Sequence, residues 1–174
     1  MRHHGDDIVQ QFPPNPFLQR LVRAALAYSI SFEQSPAPEQ WMYHPGRRAI
    51  LVWMPDLRSQ SMSYLVTIMA HELGHALHFD RHPRLARKLF SSASLELDWM
   101  VEREAFVEGF LLLKRLAIPV SLEQYLRMIE PPMASEVARS LNGRLCCLLD
   151  RYGAGYATSS AAAGPLPVAL PPVA

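Results

Sequence analysis

Thr67-Ile68-Met69-Ala70-His71-Glu72-Leu73-Gly74-His75-Ala76-Leu77 is the stretch on which the fold of this chain turns. It lies within a longer run, Ser61 to about Phe79, whose apolar residues recur at the period of an α-helix. Between Ser59 and Ala76 the only side chains able to carry charge are His71, Glu72 and His75. A helix facing water would not be so bare of charge, so the run predicts a buried helix. Histidines at i and i+4 share one helix face, one turn apart. Burying them beside a glutamate with nothing to bind would leave costly polar groups.

The spacing is H-E-x-x-H, which lets two imidazoles grip one Zn²⁺ ion. Glu72 then stands beside the ion, where it can take a proton from water. A catalytic zinc wants three protein ligands and one open position. A third histidine six residues after His75 is excluded, because position 81 is Arg81 and position 78 is not glycine. His78 shares the helix face but lies about 10 Å along the axis from His71 at 1.5 Å per residue, so one ion cannot readily take all three. His82, just past the expected helix end, stays a candidate.

A second helix, expected from about Leu95 to Leu116, offers Glu96, Glu102, Glu104 and Glu108. One stripe on it runs Leu95, Trp99, Glu102, Phe106, Gly109, Leu113 and Leu116, with Ala105 beside it, and Glu102 is its only charge. Ala105 and Gly109 are small, so another helix could approach closely on that face. The stripe through Glu104 also carries Glu108 and Arg115 and reads as solvated. Glu102 is therefore the expected third ligand, with Glu104 as the alternative. A carboxylate in an apolar stripe needs a partner, and Zn²⁺ is an adequate one.

Beyond this pair of helices, the chain has 174 residues, 49% of them hydrophobic and 19% charged, enough for one core and too little charge for a disordered body. Its formal charge of +1 argues against a protein held to nucleic acid by its overall field. No apolar run approaches a membrane span, and the first eleven residues carry no apolar signal region. Cys146 and Cys147 are adjacent and can staple nothing distant, which suggests a reducing, cytoplasmic setting and a place in the core of the last helix. The fifteen prolines punctuate. Residues 1–16 read as an irregular arm, 17–152 as one domain, and 153–174 as a disordered Ala/Pro-rich tail. Within the domain the expected order is a helix at Phe17–Tyr28, a hairpin with strands near Trp41–Tyr43 and Arg48–Met54 around Pro45-Gly46, the His71 helix, and a short basic helix at Arg84–Phe90. Serines at 91–94 offer caps to the Glu102 helix. Further helices are expected from Ser121 to Ile129 and, after the break at Pro131-Pro132, from Ser135 to Tyr152. The fold class is α+β: a small sheet on the site helix, then a helical C-terminal part.

His71-Glu72-Leu73-Gly74-His75, followed by Glu102-Arg103-Glu104-Ala105, resembles the gluzincin metallopeptidases, and most of all the ImmA/IrrE family, over roughly residues 40–118. The resemblance implies a minimal zincin-like fold and one Zn²⁺ per chain, held by His71, His75 and Glu102. It implies Glu72 as general base and peptide hydrolysis directed at a specific protein partner such as a transcriptional repressor. It also implies that Arg48–Met54 is the edge strand along which an extended peptide pairs. The family's usual Asn after E-x-x-A is Phe106 here, and its following Phe-Ala is Glu108-Gly109. Candidates to steady an oxyanion are His78, His82, Tyr43 and Tyr125. Two other functions fit the residues: a non-enzymatic, zinc-stabilised regulatory module, and a DNA-associated protease of the SprT type. The basic run Arg81–Lys88 speaks for the latter, and the missing zinc-ribbon cysteine pairs speak against it.

Overall fold

The computed structural model describes residues 8–91 and 98–153, with side chains described for 8–88 and 98–144. The chain divides into two units, Met1–Leu141 and Asn142–Ala174, and the sheet and every candidate ligand lie in the first. The described residues form an α+β fold, a three-stranded sheet followed by a mostly helical chain. They comprise α1 (Pro16–Ala27), β1 (Ser31–Gln34), β2 (Met42–His44), β3 (Ala49–Val52), α2 (Asp56–Ser59), α3 (Met62–Arg81), α4 (Pro83–Ser91), α5 (Trp99–Arg115), α6 (Leu122–Leu126) and α7 (Pro131–Gly153). None of these helices is long and apolar enough to cross a membrane.

Four helices start at a residue whose side chain caps them. Asn15 caps α1 by accepting from the N–H groups of Phe17 and Leu18, and Pro16 occupies the first helical position. Ser61 caps α3 by accepting from Tyr64 N–H. Asp98, rather than a serine at 91–94, caps α5 by accepting from Met100 N–H. Ser121 and Gln124 form a reciprocal capping box on α6. Helix α7 begins at Pro131, not at Ser135, because proline at the first turn of a helix gives up only N–H groups that lack partners anyway. Residues 92–97, Glu96 and Leu95 among them, lie outside the described residues, as do the tail from 154 and the side chains of Cys146 and Cys147.

The hairpin forms as expected: β2 pairs antiparallel with β3, Tyr43 opposite Ile50. Its left-handed residue is Arg48, with φ 48°, and not a glycine. The Arg48 guanidinium grips both oxygens of Asp80 at 2.7 and 3.2 Å and the Tyr28 carbonyl at 2.8 Å, tying the turn to the last turn of α3 and the end of α1. The third strand escapes the hydrophobic pattern. β1 is short and amphipathic, and it pairs parallel with β3 in the order β1-β3-β2. This corrects the expectation that Arg48–Met54 offers a free edge. β3 is buried at all four positions and paired on both sides, as a continuous apolar run implies for a central strand. The edge beside α3 is β2. The N-terminal arm is also less irregular than its prolines suggest. Ile8 and Phe12 are buried, and the Phe12 ring packs edge-on against Phe32 and Trp41.

The core is organised on α3, which packs against α1, β2 and above all α5. The α3–α5 crossing is close because both helices present glycine there. A Cβ on Gly74 would lie 1.9 Å from the Ala105 carbonyl oxygen and 2.9 Å from Gly109 N. A Cβ on Gly109 would lie 2.6 Å from the Ala70 oxygen. Gly74→Ala must therefore push backbone apart. It is expected to lower stability by about 1–3 kcal/mol, read as a reduced urea midpoint. Gly143→Ala, whose Cβ meets nothing within 4 Å among the described residues, serves as the control and should be neutral or stabilising.

Candidate metal centre

Helix α3 carries His71 and His75 on the face turned to α5, and α5 carries Glu102 one turn before the crossing. The three side chains meet. His71 Nε2 lies 3.2 Å from Glu102 Oε2, and His75 Nε2 lies 3.4 Å from Glu102 Oε1. The two Nε2 atoms are 3.1 Å apart. Among the described residues this is the only group of three or more His, Cys, Asp or Glu whose ligand atoms all lie within 4.8 Å of one another. Both histidines are buried, while the Glu102 side chain keeps 28% of its surface, so the cluster opens to solvent on the α5 side. Burial pushes the Glu102 carboxyl up, but hydrogen bonds from His71 and His75, and their charge, outweigh it and hold the group well below the ordinary carboxylate range.

The other glutamates of α5 have other partners. Glu104 pairs with Arg103 at 2.8 Å, and Glu108 pairs with Arg81 from the last turn of α3. Glu108 is buried, so the stripe it shares with Glu104 is not the solvated face that its charges suggest. An arginine from a neighbouring helix supplies the missing compensation, which is visible only once the helices are packed. The same contact takes Arg81 out of the basic run 81–88 that suggested a nucleic-acid surface.

The donor set fits a divalent cation such as Zn²⁺. Two neutral imidazoles and one carboxylate give three nitrogen and oxygen ligands with one negative charge, as an open catalytic site requires. Two polar atoms beside the donor set are left over. His71 Nδ1 and His75 Nδ1 are the buried side-chain nitrogens or oxygens without a hydrogen-bond partner among the described residues. With Nε2 turned to a cation, each Nδ1 carries its ring's proton. A buried donor without an acceptor costs about 1–3 kcal/mol.

Glu72 is buried beside this group, 3% exposed, and its Oε2 accepts the backbone N–H of Tyr43 at 2.5 Å. Tyr43 thus serves through its amide, a role that no side-chain pattern can announce. Its hydroxyl is pushed up by burial, and its ring stacks on Phe79 with centroids 6.2 Å apart. Tyr125 is not a group facing the site: it is fully buried, and its hydroxyl donates to the Phe106 carbonyl at 2.9 Å. The His78 and His82 rings, tilted to each other with centroids 4.7 Å apart, line an open cleft of about 630 Å³ with Glu104, outside the three-residue cluster. Burial and then the His82 charge lower the His78 pKa. Tyr64, two turns before His71, is a residue that no motif singles out. Burial first, then the charges of Asp56, Glu72 and Glu39, raise its pKa, which puts it within electrostatic reach of Glu72.

No protein-family model, curated protein or solved structure matches this chain. The site therefore stands on its own residues and geometry. Protein refolded with excess Zn²⁺ and desalted should hold one ion per chain by mass spectrometry of the metal. Glu102→Gln should lose it and Glu104→Gln should keep it. Retention by Glu102→Gln with loss by Glu104→Gln would reverse the assignment.

Proposed function

We propose that the protein is a zinc-dependent metallopeptidase of the gluzincin type, most like the ImmA/IrrE family, with a zincin-like domain. The observation that carries this reading is the meeting of His71, His75 and Glu102 on two crossing helices, with the buried Glu72 carboxylate one residue from the first ligand. The three ligands would hold one Zn²⁺. When bound, the ion supplies Lewis acidity, bringing the pKa of water toward 7 and polarising a carbonyl.

The chain's own groups supply the rest. Glu72 takes the proton of the attacking water and passes it to the departing amine nitrogen. The Tyr43 N–H anchors Oε2 and so fixes the plane of the carboxylate while the proton moves. The strand that carries this amide, β2, is an edge strand that among the described residues pairs only with β3. A peptide would therefore lie beside β2 rather than β3, without the Tyr43 N–H, which Glu72 holds, and with its scissile carbonyl toward the two histidines. The substrate class is a protein or peptide, and a single protein partner fits the family resemblance.

Glu72→Gln should keep zinc and lower peptide turnover by roughly 10²–10⁴-fold, the usual contribution of a general base. Undiminished cleavage by the zinc-loaded variant would remove Glu72 from the mechanism. If the zinc-loaded native chain cleaves no member of a diverse peptide library and no protein encoded beside it, the non-enzymatic zinc-stabilised module becomes the better description.

Tyr43→Pro removes the anchoring N–H at an edge position where proline is tolerated, whereas Tyr43→Ala removes only the ring. With zinc content unchanged in both, kcat should fall further in the proline variant. Equal kcat values would show that the amide does not orient Glu72.

A further inference from the structure

Ligand histidines ordinarily donate their second ring N–H to a carboxylate, a carbonyl or a water, which sets the orientation of the ring and raises its basicity. His71 Nδ1 and His75 Nδ1 have no such protein acceptor among the described residues, although both are buried. What surrounds the two imidazoles instead is aromatic. The Phe106 ring lies over His71 with centroids 3.9 Å apart and an interplanar angle of 27°. The Phe79 ring lies nearly parallel to His75, at 5.9 Å and 17°. The row continues outward at both ends, from Phe79 to Tyr43 at 6.2 Å and from Phe106 to Tyr125 at 6.4 Å. Six rings from β2, α3, α5 and α6 thus form one file with the two ligands in the middle.

The file is anchored on the Phe106 side. The Tyr125 hydroxyl donates to the Phe106 carbonyl, and the same hydroxyl lies 3.0 Å from where a Cβ on Gly109 would stand. Helix α6 therefore seats on α5 just behind Phe106 and holds its backbone in place. Phe106 stands directly after Glu102-Arg103-Glu104-Ala105, so one helix turn supplies both a ligand and the ring that covers another ligand.

We infer that Phe106 is a positioning residue of the metal centre: it orients the His71 imidazole by stacking where a hydrogen bond would ordinarily do so, with Phe79 as its weaker counterpart at His75. The inference rests on the reading of His71, His75 and Glu102 as metal ligands. It has a chemical consequence. An imidazole whose Nδ1–H has no carboxylate or carbonyl acceptor gains less basicity at Nε2 than one that has. Ring stacking constrains the tilt of an imidazole but not its basicity.

The test uses the full chain and compares Phe106→Leu, Phe106→Tyr and Phe110→Leu with the native protein. Each is loaded with Zn²⁺ for affinity and with Co²⁺ for its visible spectrum, and the metal-free forms are melted to confirm folding. Phe110 is buried one turn further along α5 and stacks on neither histidine ring, so it reports general loss of packing. Phe106→Leu is expected to weaken Zn²⁺ about 10- to 100-fold and to change the Co²⁺ spectrum. Phe106→Tyr, which keeps the ring, and Phe110→Leu should bind as the native chain does. Because a variant can fail to fold, the native zinc form is also read by NMR, where ring current from Phe106 should shift the His71 ring protons upfield of those of His75. Unchanged affinity and spectrum in a folded Phe106→Leu, or His71 ring protons without the upfield shift, would overturn the role of Phe106. A native chain that binds neither metal would instead overturn the metal centre, and the inference with it.

Discussion

Helices α3 and α5 touch backbone to backbone at Gly74 and Gly109, with no room for a single methyl group between them. That distance sets everything near it. It lets Glu102 reach both histidines across the gap, lays the Phe106 ring flat on His71, and leaves space above Gly109 for the Tyr125 hydroxyl. A wider crossing would leave two buried imidazoles and a carboxylate without one another, the situation that low-dielectric interiors penalise most.

The polar groups of α5 illustrate how a packed interior sorts like residues into unlike roles. Three glutamates lie within two turns of one helix. Glu102 faces two histidines, Glu104 turns to the neighbouring Arg103, and Glu108 is buried against Arg81. Only the first is left with ligands that could share a cation. The other two are neutralised by arginines, and so the centre keeps a defined set of three donors rather than a diffuse acidic patch. Glu72 is set apart by a different device, a backbone amide from β2, which ties the position of an edge strand to the orientation of a carboxylate.

How much of this is legible in the sequence depends on the range of the interaction. The α3 helix, its Ser61 cap and the pairing of His71 with His75 are local, set by periodicity and by groups within one turn. Glu102 can be chosen over Glu104 because helical phase is also local, and the small residues at 105 and 109 advertise a close neighbour. The hairpin is local too, although its left-handed residue is Arg48 and not the nearby glycine. Apart from two helix starts, at Trp99 and Pro131, the places where the residue pattern misleads are long-range. β3 reads as a free edge until the parallel partner β1 arrives from the other side. Glu108 reads as solvated until Arg81 meets it. Tyr125 reads as a group for the site until its hydroxyl is found on the Phe106 carbonyl. Phe12 reads as part of a loose arm until Phe32 and Trp41 close around it.

Motif spacing and amphipathic phase are properties of single elements. The amino-acid order alone therefore specifies which side chains can bind a metal and on which helices they ride. That those side chains converge, that the Tyr43 amide holds Glu72, and that aromatic rings flank the imidazoles are matters of tertiary packing. They follow from the distance and angle at which separate elements meet, and these are set by backbone contact at two glycines and by partners far apart in the chain.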